Sequence, residues 1–350
     1  MTVVAGGEAR GRPTRVLVSG PDLKFLGPIE AALRQAHAVV RFDRWAGPTA
    51  HDPARTRTLQ SWAEVVLAEW CLGNAVTLSE QRRADQRLMI RLHRFEVERA
   101  EPGRIDPEQV DLLTVPGPHL RAQLLERVGW PAERCAWVPN AVDVAAAPTH
   151  KTPDADRTLA LVGWYRQLKR LDRALDLLEA LLDADPSWRL ICKGEHPWSV
   201  PWVWRDRRHR RWLQRQLDRI ASSERLSRAV RFEGHGPVDA LWPRTGWVLS
   251  PSDVESFHLA AAEGMAAAAV PVVWDRPGAR ELLGSRWVHG DTAAAADAVL
   301  ALSGQARQEE GLVARAHIAR CYDRPRLERV WRSLLLGSAG AASNSDSGSP

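Results

Sequence analysis

Two glutamates, Glu255 and Glu263, stand eight residues apart in the run Pro251-Ser252-Asp253-Val254-Glu255-Ser256-Phe257-His258-Leu259-Ala260-Ala261-Ala262-Glu263-Gly264-Met265-Ala266. The segment is alanine-rich and reads as the opening of a helix that runs into a short buried strand, Val270-Pro271-Val272-Val273-Trp274. At about 1.5 Å per residue, eight residues cover roughly 12 Å of one helix and leave the two positions on neighbouring faces. Carboxylates accept hydrogen bonds from hydroxyls, so such a segment can hold a long polyhydroxylated ligand at two points. A nucleoside diphosphate sugar has that form, with sugar hydroxyls at one end, ribose hydroxyls farther along and a diphosphate between them.

Cations suited to a diphosphate occur in Gly163-Trp164-Tyr165-Arg166-Gln167-Leu168-Lys169-Arg170, which follows a strand and precedes a helix. A helix N-terminus adds its own partial positive charge there. His93 closes another strand in Arg91-Leu92-His93-Arg94-Phe95-Glu96, with Arg94 and Glu96 as candidates for acceptor contact. Glu69 and Asn74 stand where the preceding strand meets its loop, as sites for acceptor contact or as loop caps. Asp22 and Lys24 follow the first strand and are acceptor-side candidates. Gly194 sits in a strand-end turn, Gly194-Glu195-His196-Pro197, that frames the donor or is a simple turn.

The Glu255–Glu263 run resembles the E-x7-E signature of the family-4 retaining glycosyltransferases. The flanks agree: Pro251-Ser252 before it, Glu263-Gly264-Met265-Ala266 within it, Val270-Pro271-Val272-Val273 after it and Gly278-Ala279-Arg280-Glu281 beyond. Lys169 matches the lysine of the family's glycine–arginine–lysine–glycine motif, whereas Trp164 stands where its arginine is usual. The resemblance implies a donor held by Glu263 at the ribose and by Glu255 at the sugar, with Ser256, Phe257 and Gly194 also on the donor side. Lys169, with Arg166 or Arg170, would meet the departing diphosphate. His93 would polarise a sugar hydroxyl near the reaction centre. No metal or other cofactor is implied; the nucleotide sugar is a substrate.

These residues need strand-end loops to carry them. Strands are read at 15–20, 38–42, 64–68, 88–92, 111–115 and 135–140, with helices near 26–35 and 118–127. A second β-α-β series follows, with strands at 158–163, 188–192, 230–234, 247–250 and 270–274 and a helix near 171–182. This predicts an α/β fold of two Rossmann-like domains facing a cleft, the GT-B fold of the resembled family, with ligands beyond the carboxyl ends of the strands. The expected plan is a disordered leader (1–13), an acceptor-side domain (14–145), a linker (146–156), a nucleotide-sugar domain (157–318), a helix crossing back to the first domain (319–336) and a disordered tail (337–350).

Composition is that of an ordinary globular protein, 45% hydrophobic and 26% charged, with no apolar run long enough to span a bilayer. The leader lacks a hydrophobic signal core, and the four cysteines are far apart, which predicts a cytoplasmic protein with reduced thiols. Arginine supplies nearly all of the 48 basic residues. Segment 197–219 interleaves Trp198, Trp202, Trp204 and Trp212 with arginines. It reads as a surface helix with inward-packed tryptophans, or as a peripheral contact with the inner face of a membrane. Nucleic acid is not expected as a partner. Asp154-x-Asp156 and Asp183-x-Asp185 read as turns. The absence of H-E-x-x-H, G-x-G-x-x-G, G-x-x-x-x-G-K-[ST] and G-x-S-x-G argues against metalloprotease, dinucleotide oxidoreductase, P-loop kinase and α/β-hydrolase. A sugar-nucleotide epimerase or phosphorylase, or a silent nucleotide-sugar-binding protein, stays open beside the transferase.

Overall fold

A computed structural model describes residues 12–337. Of the expected leader and tail, only Arg12, Pro13 and Gly337 fall among them. The chain divides into two compact units, the first comprising residues up to Pro116, Leu120–Val138 and the stretch from Pro325, the second Gly117–His119 and Pro139–Arg324.

In the first unit the order is β1 (Arg15–Gly20), α1 (Gly27–Gln35), β2 (Val39–Arg44), α2 (Pro53–Trp62), β3 (Val65–Glu69), α3 (Gly73–Glu80), β4 (Arg87–Arg91), β5 (Leu112–Val115), α4 (Pro118–Val128, whose first two residues belong to the second unit) and β6 (Cys135–Trp137). The six strands form one parallel sheet, β2-β1-β3-β4-β5-β6. Helices on both faces bury strands such as β3, in which every residue is buried, and this explains their unbroken apolar reading. Helix α2 carries only a weak apolar stripe, and it starts where Asp52 caps the backbone N–H groups of Ala54 and Arg55.

The second unit runs β7 (Thr158–Val162), α5 (Leu171–Ala184), β8 (Arg189–Lys193), α6 (Pro201–Arg205), α7 (Arg207–Ser222), α8 (Glu224–Ala229), β9 (Val230–Glu233), β10 (Trp247–Ser250), α9 (Leu259–Ala266), β11 (Val270–Trp274), α10 (Ala279–Leu283), β12 (Val288–His289), α11 (Thr292–Leu300) and α12 (Gly304–Tyr322). Its parallel sheet is ordered β12-β11-β10-β7-β8-β9. This is the doubly wound order whose direction of growth reverses between β7 and β10, where such sheets open a crevice for ligands. The last helix, α13 (Arg324–Leu336), is counted with the first unit from Pro325. There Glu328 accepts a hydrogen bond from Gln35, and Arg91 lies 5.5 Å from the Trp331 ring centre.

The boundary differs from the expected linker at 146–156. The whole stretch from Pro139 is tied into the second unit: Val142 pairs with Asp323, and Lys151 donates to the carbonyls of Trp242 (2.8 Å) and Thr245 (2.9 Å). Turn-forming composition marked an irregular segment, but backbone and ammonium hydrogen bonds fasten it to one side. Asp154-x-Asp156, read as a turn, lies in a short 3-10 helix, Pro153–Arg157, and Asp183-x-Asp185 spans the end of α5, with Asp156 paired to Arg307 and Asp185 to Arg157.

Helix α5 buries Leu171, Ala174, Leu175, Leu178, Leu181 and Leu182 at helical spacing, each leucine contributing about 1.5–3 kcal/mol. Alanine-rich α9 is small-sided for a different reason, its close approach to the sheet. A Cβ on Gly264 would lie 2.7 Å from Val248 Cβ on β10. Gly264→Val is therefore expected to cost about 1–3 kcal/mol or more by overpacking, read as a fall in the urea midpoint of unfolding. Gly290→Ala, which meets nothing within 4 Å, is the control with no such fall.

Candidate active site

The loops after β7 and β10 meet at the strand-order reversal of the second unit. Gly163 leaves β7 with φ +81°, and its N–H donates to the Lys193 carbonyl at the end of β8. The Lys169 side chain lies over Gly163 and places Nζ 2.6 Å from Glu255 Oε1. Gly194, with φ +139°, closes β8 against Gly163 so tightly that a Cβ there would stand 3.3 Å from the Gly163 nitrogen. Lys169, Glu255 and Gly194 are thus brought to the same strand ends.

Glu255 is not on the helix with Glu263. It lies in the loop, and α9 starts only at Leu259, after His258 has taken the left-handed conformation at φ 65°. The single-helix geometry expected for the pair is corrected accordingly. Within this loop Ser250, His258 and Glu255 form a polar chain with Arg276. Arg276 donates to Ser250 Oγ (2.7 Å) and to the Ser250 carbonyl (3.0 Å). The Ser250 hydroxyl proton is thereby directed to His258 Nδ1. His258 then carries its own proton on Nε2, 3.6 Å from Glu255 Oε1. Burial pushes His258 down to about 3, so the imidazole is neutral at pH 7. Burial raises Glu255, but in acid, where His258 gains its proton, that cation and the Lys169 ammonium outweigh it and hold the carboxyl well below the usual range. His119 anchors the loop backbone, with Nε2 2.9 Å from the Glu255 carbonyl oxygen. Ser250, His258, Arg276 and His119 were not assigned from the sequence; the Glu-Ser-Phe-His spacing alone offered a signal for His258.

Glu263, in the second turn of α9, is partly buried. Burial, with Asp239 nearby, raises its carboxyl to about 7. The two glutamates therefore differ in charge at neutral pH, which spacing could not disclose.

Several expected site residues have other employment. Phe257 is buried against Tyr322 in a T-shaped contact at 4.9 Å, a core residue rather than a donor contact. Ser256 is half-buried beside Gly117. Arg170, at φ 55°, gives its guanidinium to Asp172 and Asp253, so it is committed within the protein rather than turned to a diphosphate. Arg166 lies 5.1 Å from the Trp202 ring centre. Trp164, in the arginine's usual place, is fully buried and packs on Phe232.

In the first unit the expected residues gather at the ends of β3 and β4. Glu69 is completely buried and accepts from Arg91 Nη1 and His93 Nε2, both at 3.2 Å. His93 is packed between Trp70 and Phe25 at 4.1 and 5.1 Å, and burial lowers its pKa. The hydroxyl contact expected of His93 requires its bond to Glu69 to open. Glu96 is not an acceptor contact: it is buried and accepts the backbone N–H groups of Cys71 and His93. Asn74 is likewise internal, donating to the carbonyls of Ser19 and Glu69. Arg94 is half-buried. Lys24 pairs with Asp22 at 2.6 Å and lies over the rings of Phe25 and Trp70.

Lys169→Met would leave the Glu255 carboxylate without its cation at a cost of about 2–4 kcal/mol, largely restored in the double variant with Glu255→Gln; a double-mutant cycle in urea measures the coupling. The Glu255 contribution is complete above its ordinary value of 4.5 and is lost as pH falls through its lower folded value. Glu263 acts in the opposite sense. Its folded value exceeds its ordinary one, so the folded state binds more protons between about 4.5 and 7 and loses stability as pH rises through that window. Glu263→Gln should stabilise the fold by up to about 3 kcal/mol at pH 8 and leave it unchanged at pH 4.

Residues 156–305 match the family model described as Glycosyl transferases group 1. No curated protein matches the chain. Solved structures share the fold. Anabaena Alr3699/HepE, in complex with UDP and glucose, superposes with TM-score 0.65 at 13% identity, over 92% of this chain and 99% of that one. Sucrose-phosphate synthase from Thermosynechococcus elongatus gives 0.67 at 16% identity, over 93% and 100%. A UDP-forming α,α-trehalose-phosphate synthase from Burkholderia xenovorans gives 0.68 at 14%, over 95% and 100%. With two parallel six-stranded sheets and a strand-end site on the β7 and β10 loops, the chain has the GT-B fold, and residues 156–305 are similar to the group 1 glycosyl transferases.

Proposed function

We propose that this chain is a retaining glycosyltransferase that moves a sugar from a nucleoside diphosphate sugar to a saccharide or lipid-linked acceptor, in polysaccharide or glycoconjugate biosynthesis. The observation that carries the reading is the Lys169–Glu255 contact at the strand-order reversal of the second sheet. An ammonium there is placed to meet the charge of a departing diphosphate, the kind of preorganised electrostatics that usually dominates catalysis. Lys169 does this without a bound metal, and activity should survive EDTA. Glu255, deprotonated and braced by His258, accepts from sugar hydroxyls. Glu263 holds the ribose hydroxyls. Asp22, Lys24 and Arg94 are the acceptor-side groups of the first unit. The complexes and names of the similar structures, with UDP and glucose in one and UDP as product in another, favour a UDP-sugar. Four free cysteines suit a cytoplasmic location, and no described helix is long and apolar enough to cross a membrane.

A silent nucleotide-sugar-binding protein is the second reading, favoured by the burial of Trp164 and the internal pairing of Arg170. Thermal shift against UDP-, GDP- and ADP-sugars, followed by product analysis with acceptors, separates the two. The transferase reading expects one donor to raise the melting temperature and to be consumed only with acceptor. Glu263→Ala should weaken that donor by about tenfold to a hundredfold, the worth of hydrogen bonds to a charged group. Lys169→Ala should abolish turnover while the protein still folds. Donor binding without transfer or hydrolysis would select the silent protein. Because Glu263 titrates near 7, donor affinity should also fall with pH below that point, by no more than about tenfold per unit.

A further inference from the structure

Of the two readings of segment 197–219, a single helix with inward-packed tryptophans does not describe it: a turn, α6 and α7 share the segment. Trp212 is buried on α7, but Trp198, Trp202 and Trp204 are 56, 61 and 38% exposed. They sit within seven residues, on the turn at Pro197–Ser199 and on α6. Trp198 is held by stacking on His196 at 4.8 Å and by an edge contact with Trp204 at 6.5 Å. Elsewhere in the second unit the large aromatic rings are core: Trp164, Trp188, Trp242 and Trp247 are nearly fully buried. Leaving three adjacent indoles in water forgoes the burial that makes tryptophan useful in a core.

The charge beside them is just as concentrated. Residues 197–216 hold six arginines and one aspartate, a net +5 equal to that of the entire chain. The aspartate, Asp206, is occupied as the N-cap of α7. Arg205, Arg207, Arg208, Arg211 and Arg215 are exposed. Arg210 and Arg166 pack over the faces of Trp204 and Trp202, which keeps cation and indole at one surface. A cavity of about 440 Å³ opens beside Trp202 between Arg166 and Arg208.

We infer that this surface docks on the headgroup region of an anionic bilayer. Indoles favour the boundary between acyl chains and headgroups, with the ring in the apolar zone and the N–H in the wet one. Arginines next to them meet lipid phosphates, and each adds to the attraction of an anionic surface. The cavity between Arg166 and Arg208 gives one headgroup phosphate room to enter. A soluble polyanion would satisfy the arginines but leave the three indoles without an apolar medium. The donor-site assignments are independent of this inference; together they would put a lipid-linked acceptor within reach of the enzyme.

The test is sedimentation of the full chain, without donor, with vesicles of phosphatidylcholine alone or with roughly one-third phosphatidylglycerol, at about 0.1 M salt. Binding at least about tenfold tighter to the anionic vesicles is expected, with quenching of tryptophan fluorescence by lipids brominated on the acyl chain. W198S/W202S/W204S should lose the quenching and about tenfold or more of the binding. R207Q/R208Q/R211Q should lose the preference for anionic lipid. W202S alone, at the most exposed of the three sites, keeps the test valid if the triple variant does not fold. Unchanged vesicle binding in the tryptophan variants would overturn the inference. So would absence of quenching, or heparin binding that outcompetes vesicles and ignores the tryptophans.

Discussion

A lysine ammonium 2.6 Å from a largely buried carboxylate holds together the strand-end loops of the second unit. A carboxylate removed from water is tolerated only when a cation or hydrogen-bond donors compensate it. Lys169 does so from the β7 loop, and His258 supports Glu255 from the other side. His258 is in turn positioned by Ser250, and Ser250 by Arg276. The chain of contacts runs from β11's exit through β10's end to the loop after β7, so three strand ends share one polar core. It also explains why His258 accepts a left-handed backbone: the turn aims its ring at both Ser250 and Glu255.

The two glutamates of the motif show how environment divides the labour of chemically identical groups. Glu255 has a cation in contact and stays charged; Glu263 has burial and a neighbouring carboxylate, and shares its proton near neutrality. One segment thus carries a charged acceptor in its loop and a softer one on its helix. The first unit follows the same logic with another outcome. Glu69, Glu96 and Asn74 are polar and stand at strand ends, yet each is spent on internal donors or carbonyls. What they hold in place is an aromatic cluster, Phe25, Trp70 and His93, with Lys24 above it.

The tryptophans divide along the same line between interior and surface. Trp164 replaces a cation of the family pattern and goes into the core, packed on Phe232. Arg170, which follows Lys169 where the family motif has glycine, takes a left-handed backbone at φ 55°, and its guanidinium pairs with two aspartates. The loop after β7 thus keeps Lys169, while Trp164 and Arg170 on either side of it serve packing and internal pairing.

Strand and helix positions were legible in the chain because burial writes them into it. The continuous apolar runs of β3, β4, β10 and β11 and the leucine stripe of α5 leave few alternatives in a doubly covered parallel sheet. Glu255, Glu263 and Lys169 were legible as a pattern of types and spacings. Helix α2 was not, because its periodicity is weak and its start rests on an aspartate cap. The linker was misplaced because hydrogen bonds from Lys151 and Val142, invisible in composition, fasten it to the second unit. Local sequence thus determined which segments are buried and which residues are candidates for chemistry. Only the tertiary structure decided which of those side chains face one another, since protonation state, pairing and exposure depend on neighbours distant in the chain.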